Sequence, residues 1–367
     1  PLSPASSIAV IGALADEVNL GDRGSSDTRP TDVVTLLAGI KAASERGVTF
    51  TPGRDQEQAA ALAAEADAAV VVVGLSWRDE GENINVDDIA WAVRRVPAPP
   101  RLAGLLPDRL VPRVWDPVAR MLAALTRRAP SGELEGTTEG FASGDRTNLR
   151  LSPTDEALIR RVAEANSRTV VVLMGGGGII AESWRHDVPA ILLAWYPGQE
   201  GGHAVADVLF GRVSPSGRMP FTVPTEHAHL PPFDPRAREV TYDLWHGYRR
   251  LARDGHDAAF PFGHGLSYAT IEVSDLRARA HRSGVTCRVD VHNDGPMTTD
   301  HVVCVYVEPP GHAVERPLRQ LAGFARVHVR AGESVTATVR VPWRTLAYCL
   351  LYTSPSPRDN DWYLVCR

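Results

Sequence analysis

The residues Ala68-Ala69-Val70-Val71-Val72-Val73-Gly74-Leu75 form one uninterrupted apolar run. The run is too short to cross a bilayer, and its lack of alternation leaves no face for water. A strand with that composition is stable when both faces are covered, as in a parallel sheet between helical layers. Ser7 to Gly12, Val48-Thr49-Phe50, Thr169 to Met174 and Ala190 to Ala194 read as further strands. Helical patterns lie between them. Pro30-Thr31-Asp32 caps one that runs through Val34, Leu36, Leu37 and Ile40. Others span Gln56 to Asp67, Asp155 to Ser167 and Glu200 to Leu209. This alternation predicts an α/β fold over residues 1–232, a mostly parallel sheet sandwiched by helices. Ligands are then expected at the carboxyl ends of the strands.

From about residue 270 the period changes to two. Val285 to Val291, Val303 to Val307 and Val335 to Val341 alternate strictly, separated by the turn signals Asn293-Asp294-Gly295 and Ala331-Gly332-Glu333. A small all-β sandwich over 270–348 follows from that spacing. Residues 233–269, rich in proline and aromatics, form the connector. Residues 83–143 read as an irregular insertion broken by Pro97, Pro99 and Pro100, with a helix from Trp115 to Arg127 inside it.

Composition excludes several classes. The net charge of -5 carries no nucleic-acid footprint. Four cysteines without a CxxC pair make neither a disulfide framework nor a zinc ribbon. No stretch is long enough for a membrane helix. Lys41 is the only lysine in an alanine- and glycine-rich chain, which points to GC-rich coding and a bacterial source. Cys349 to Asp359 and Tyr363 to Arg367 resemble translated sequencing-library ends, so 349–367 reads as an adapter artefact outside the fold. With Pro1 in place of a methionine, the expectation is a fragment cut at both ends.

The chemistry-bearing candidates lie after strands. Gly74-Leu75-Ser76-Trp77-Arg78-Asp79-Glu80-Gly81-Glu82 places three carboxylates past the valine strand. Mutual repulsion, with desolvation by Trp77, would keep one of them protonated for general-acid work. A solvated acidic loop is the other reading of the same residues. Leu20 to Asp27 forms a glycine-serine loop after the first strand, where Asp22 and Arg23 read either as cleft residues or as an internal ion pair. No lysine follows in the GxxxxGK[ST] spacing, so a phosphate loop is not indicated. Gly175 to Gly178 departs from GxGxxG, because Ile180 occupies the last glycine's place, and reads as a tight strand-to-helix turn. Gln199-Glu200-Gly201-Gly202 reads as a helix start with close-packed glycines. His227-Ala228-His229 follows Glu226 but belongs to no spaced metal-ligand motif of carboxylates or cysteines, so no metal is expected there. No GxSxG elbow is present, so a serine hydrolase is not supported.

Several of these segments resemble, in order and spacing, the C-terminal half of family 3 glycoside hydrolases, the β-glucosidase family. They are Gly144-Asp145-Arg146 with Leu149 and Leu151, Trp195 to Gly202, Ser216-Gly217-Arg218, Tyr248-Arg249, and Phe260 to Tyr268. Arg316 to Phe324 resembles the family's fibronectin type III-like domain. The resemblance implies a retaining hydrolysis of terminal β-glucosides or related glycosides. Glu80, followed by Gly81, matches the general acid/base, with Glu82 the runner-up by a small alignment slip. Asp22, Arg23, Asp145 and Arg146 match residues in or near the substrate cleft, and Tyr248-Arg249 with Phe260 to Tyr268 match interface packing. The nucleophile would come from an N-terminal barrel absent from these residues, so the chain alone is expected to be inactive. The implied partners are a carbohydrate and that barrel, with no cofactor, nucleic acid or membrane. A stand-alone carbohydrate-binding or scaffold module is the alternative, and a nucleotide-dependent α/β enzyme built on the glycine loops is a third.

Overall fold

The computed structural model describes residues 1–21, 28, 30–80, 115, 117–118, 121, 146, 148–234, 237, 239–309, 315–347 and the strand 363–366. Asp22, Arg23, Glu82 and Asp145 lie outside the described residues. So does most of Trp115 to Arg127, of which Trp115, Pro117, Val118 and Met121 are helical.

Five parallel strands make the first sheet: β1 (Ile8–Ile11), β2 (Val48–Thr51), β3 (Ala68–Gly74), β4 (Thr169–Met174) and β5 (Ala190–Trp195), in the order β2-β1-β3-β4-β5. The valine strand sits at the centre, and its side chains divide by parity. Ala69, Val71 and Val73 face a core shared with helices α2 (Gln56–Glu65) and α4 (Pro153–Ala165), through Ala59, Ala63, Leu158, Ile159 and Val162. Ala68, Val70 and Val72 face a second core under α1 (Leu36–Ala43) and α5 (Gly201–Leu209), through Leu37, Ile40, Val205 and Leu209. Burying each valine is worth about 1.5–3 kcal/mol, which is why the run tolerates no polar residue. The short α3 (Trp77–Glu80) follows β3 directly.

Local chemistry places the helix ends. Asp55 accepts from the amides of Glu57 and Gln58 at the start of α2. Ser152 accepts from Asp155 N at the start of α4, with Pro153 in the first turn. Helix α1 begins later than the sequence suggests. Thr35, not Asp32, is its cap, accepting from Ala38 N at 3.2 Å. Val34 is drawn into an extended contact instead: its amide donates to Gln199 O (2.9 Å) and its carbonyl accepts from Gly202 N (3.0 Å). Gly39 and Gly202 let α1 and α5 cross backbone to backbone. A Cβ on Gly202 would lie 2.0 Å from Thr35 O, and one on Gly39 2.0 Å from Gly202 O. Gly202 is therefore a packing residue, and so is Gly201, where a Cβ would lie 2.5 Å from Pro197 Cγ.

Past β5, β6 (Val223–Pro224) pairs with β7 (Ala258–Phe260), and α6 (Tyr248–Asp254) lies in the connector. Then come two three-stranded sheets. One has the order β12-β9-β8, from β8 (Ile271–His281), β9 (Gly284–Asn293) and β12 (Ser334–Pro342). The other has the order β11-β10-β13, from β10 (Thr299–Glu308), β11 (Gln320–Val329) and β13 (Tyr363–Cys366). Helix α7 (Trp343–Leu346) follows β12. Cys287, Val289 and Val291 on β9, Val303, Val305 and Val307 on β10, and Ala337, Val339 and Val341 on β12 fill the space between the sheets. That is the period-two pattern of the sequence turned inward.

The connector segments read as interface packing do join the two parts. The Tyr248 ring stands 5.7 Å from Phe262 and 6.2 Å from Tyr306, and its hydroxyl accepts from Leu321 N at 3.1 Å. Arg218 reaches His301 Nδ1 at 3.2 Å.

Candidate active site

The strand order reverses between β1 and β3, so their carboxyl ends flank the crevice where an open parallel sheet takes its ligand. The loops beyond them are tied together by Asn19, whose buried Nδ2 donates to Leu75 O at 2.9 Å. Gly74 permits the tight exit from β3. It has φ +143°, and a Cβ there would lie 2.0 Å from Met174 O. The chain then turns on Ser76, whose amide and hydroxyl both donate to Asp79 Oδ2 at 2.8 and 3.0 Å. Asp79 is thus consumed by its own turn. It acts electrostatically on Asp155, whose carboxyl is pushed up chiefly by burial and further by Asp79, against a Ser152 hydrogen bond. Arg78 covers the Trp77 ring at 4.7 Å. The described carboxylates of this loop therefore do not form the mutually repelling cluster that the sequence suggests: Asp79 and Glu80 turn to different partners.

Glu80 turns inward. Its Oε1 accepts from the Tyr196 hydroxyl at 2.6 Å and from the Gly176 amide. Its Oε2 lies 3.3 Å from Arg146 Nε, and both side chains are only 12% exposed. Arg146 Nη2 donates to Gly178 O at 3.0 Å. Its Nη1 is buried with no hydrogen-bond partner among the described residues.

This geometry explains the glycine run. Gly175 to Gly178 is not a strand-to-helix turn, since no helix follows it before β5. It is a loop pressed beneath two charged side chains. A Cβ on Gly176 would sit 3.1 Å from Glu80 Oε1 and 3.2 Å from Tyr196 Cε2, and one on Gly177 2.8 Å from Arg146 Nη2. Of the predicted site residues that are described, the structure brings Glu80 and Arg146 together. Gly176 and Tyr196 complete the cluster, and sequence reasoning assigned neither a site role. The only signal was that both belong to segments too unusual for plain packing, four consecutive glycines and Trp195-Tyr196-Pro197-Gly198.

Elsewhere, Glu200 is largely exposed and holds His203 Nδ1 at 2.8 Å. His229 stacks on His256 with centroids 3.7 Å apart. Among the described residues no group of three or more His, Cys, Asp or Glu side chains is arranged to hold a metal ion. Cys287 and Cys304 are free thiols. An apolar cavity of about 180 Å³ lies beside Gly178, lined by Leu149, Ile180, Phe221 and Leu230.

A parallel α/β sheet with an inward-turned carboxylate at the carboxyl end of its central strand is followed by a β-sandwich. The chain belongs to glycosyl hydrolase family 3: residues 1–98 and 118–268 match its C-terminal domain, and residues 301–350 match the fibronectin type III-like domain. It is 35% identical over 214 residues to a probable β-glucosidase H of Aspergillus fumigatus, a match that covers 56% of this chain and 26% of the relative. It is also 35% identical over 233 residues to an exo-α-(1→6)-L-arabinopyranosidase of Bifidobacterium longum, covering 62% of this chain and 30% of the relative. The crystal structure of a Bifidobacterium adolescentis family 3 β-glucosidase superposes with a TM-score of 0.72 at 26% identity, over 100% of this chain and 48% of that one. The chain thus spans under a third of those curated relatives' length and about half of the solved structure.

Proposed function

We propose that this chain is the acid/base-bearing part of a retaining β-glycosidase. The observation that carries this reading is Glu80, at the carboxyl end of β3 beside the switch point, held by Tyr196, Gly176 and Arg146. Glycoside hydrolysis by retention needs a carboxyl that protonates the leaving-group oxygen and then, as carboxylate, activates water. It also needs a nucleophilic carboxylate about 5–5.5 Å away. In this reading Glu80 is the first group, and the second comes from an N-terminal barrel of the same protein. Asp22 and Arg23, in the segment after β1, and Asp145 with Arg146 line the cleft on the side of this chain. Glu82 is the alternative acid/base. Residues 1–232, 233–269 and 270–348 are the domain, connector and sandwich of that assembly, and 349–367 is an appended segment whose strand Tyr363–Cys366 nevertheless pairs with the edge of β10.

The relatives' names support terminal pyranosides of glucose or arabinose as the substrates to try first. Purified alone, the chain is expected to leave an aryl β-D-glucoside and an aryl α-L-arabinopyranoside intact. Joined to its barrel, it should cleave one of them, and Glu80→Gln should lower the rate about 10²–10⁴-fold for poor leaving groups. Hydrolysis by the isolated chain that Glu80→Gln abolishes would overturn the divided site. Cellobiose binding without hydrolysis in either form would instead mark a carbohydrate-binding module.

A further inference from the structure

An irregularity in the sheet delivers Tyr196 to Glu80. β5 stays in register with β4 as far as Leu193 opposite Leu173, then slips so that Trp195 stands opposite Met174. The unpaired residue is Ala194, and a bulge of this kind re-aims the side chains that follow it. Trp195 has φ +55°. A bulky residue holds that left-handed conformation only where its surroundings over-determine it. Here the Trp195 ring meets Phe221 edge-on at 5.6 Å, and its carbonyl accepts from Gly175 N at 3.3 Å. The next side chain is Tyr196, whose hydroxyl is thereby set against Glu80 Oε1. A Cβ at position 176 would stand 3.1 Å from Glu80 Oε1 and 3.2 Å from Tyr196 Cε2, so one of those side chains would have to give by a few tenths of an ångström.

The two oxygens of Glu80 are consequently unequal. Oε1 faces two donors, the Tyr196 hydroxyl and the Gly176 amide, and a carboxylate oxygen offers two lone pairs. A proton on Oε1 would have to displace the Gly176 N–H, an obligatory donor, or turn the Tyr196 hydroxyl from donor to acceptor. Among the described residues Oε2 meets only Arg146 Nε, at 3.3 Å.

We propose that Tyr196 is a positioning residue that locks Oε1, so that Oε2 is the oxygen that carries the catalytic proton. This rests on the reading of Glu80 as the acid/base. In the first step the proton leaves Oε2 for the glycosidic oxygen as that oxygen's bond to the anomeric carbon breaks and the outside carboxylate bonds to the carbon. In the second, water gives its proton to Oε2 and its oxygen to the carbon, and the outside carboxylate departs.

The test uses the full-length enzyme and aryl glycosides of graded leaving-group acidity. Tyr196→Phe keeps the ring and removes the donor. The expected result is a roughly 10-fold loss of kcat for poor leaving groups, little loss for good ones, and an unchanged KM. Tyr196→Leu, which also removes the ring, should show the same steepened dependence on leaving group. If Glu80→Gln collapses activity on poor leaving groups while Tyr196→Phe matches wild type, or loses equally on all substrates, the Tyr196 assignment fails and Glu80 stands. If Glu80→Gln spares poor leaving groups, both fail. Where the Phe variant does not fold, 3-fluorotyrosine at position 196 changes only the acidity of the hydroxyl, and an unaltered leaving-group slope there overturns the assignment.

Discussion

Arg146 and Glu80 meet at 3.3 Å with each side chain 12% exposed, although a long insertion separates them in sequence. The guanidinium also satisfies Gly178 O, so one side chain joins the loops after β3 and β4. Arg146→Ala would leave a nearly buried carboxylate without its counter-ion. Breaking a buried pair costs about 3–5 kcal/mol, and the residual exposure here trims that to about 2–4 kcal/mol. Urea unfolding of the chain alone should show the loss, with Arg146→Lys intermediate because it keeps the charge but not the planar fork. A loss under about 0.5 kcal/mol would mean the contact behaves as a surface pair.

Gly202→Ala should be among the most damaging single-methyl changes in the chain. The added carbon would meet a backbone carbonyl, Thr35 O, which cannot rotate away. Overpacking at such a crossing costs about 1–3 kcal/mol or prevents α5 from docking. Thermal unfolding of Gly202→Ala beside Gly217→Ala, where a Cβ meets nothing, provides the comparison. Equal melting temperatures would contradict the crossing.

The junction with the β-sandwich should weaken in acid. His301 and His264 are both held below the ordinary histidine range, first by burial and then by the Arg218 guanidinium. Their neutral forms are favoured in the folded chain, and His301 Nδ1 uses its lone pair to accept from Arg218. The unfolded chain therefore takes up these protons first. Their contribution is fully present above the unfolded value near 6.5 and is lost as pH falls from there through the lower folded value. Comparing melting temperatures at pH 7.5 and 5.5, His301→Gln should lose less on acidification than the unaltered chain. An equal loss in both would remove His301 from the account.

A chain ending at residue 348 should self-associate. β13 pairs with Val305 to Glu308 of β10, and its removal opens that edge. An exposed edge rich in valine and tyrosine is a template for a second chain. Sedimentation of the shortened chain against the full one reads this out. If the shortened chain stays monomeric, the 363–366 pairing contributes nothing to solution behaviour.

Periodicity carried most of the fold. A run of valines without alternation has one stable environment, and strict alternation in β9 and β12 has another, because each pattern states which faces must be dry. Boundaries were less legible. Asp32 has the chemistry of a cap, yet Thr35 takes the role because Gln199 and Gly202 claim the backbone of Val34. Those partners lie far along the chain, beyond any local signal. The glycine run misled for a related reason. Its composition reports that side chains are excluded, but not that Glu80 and Arg146 are what exclude them.

By itself, then, the sequence determined the both-sided burial of the central strand, the two-part architecture and the presence of a carboxylate on the loop after β3, since these follow from residue type and spacing. Only the tertiary structure decided which of those carboxylates turns inward and what holds it. Asp79 closes on Ser76 three residues away, whereas Glu80 finds its donors on the loop after β4 and at the end of β5. Hydrogen-bond partners act over about 3 Å, and parallel strands bring those loops to one end of the sheet only after the whole layer has assembled.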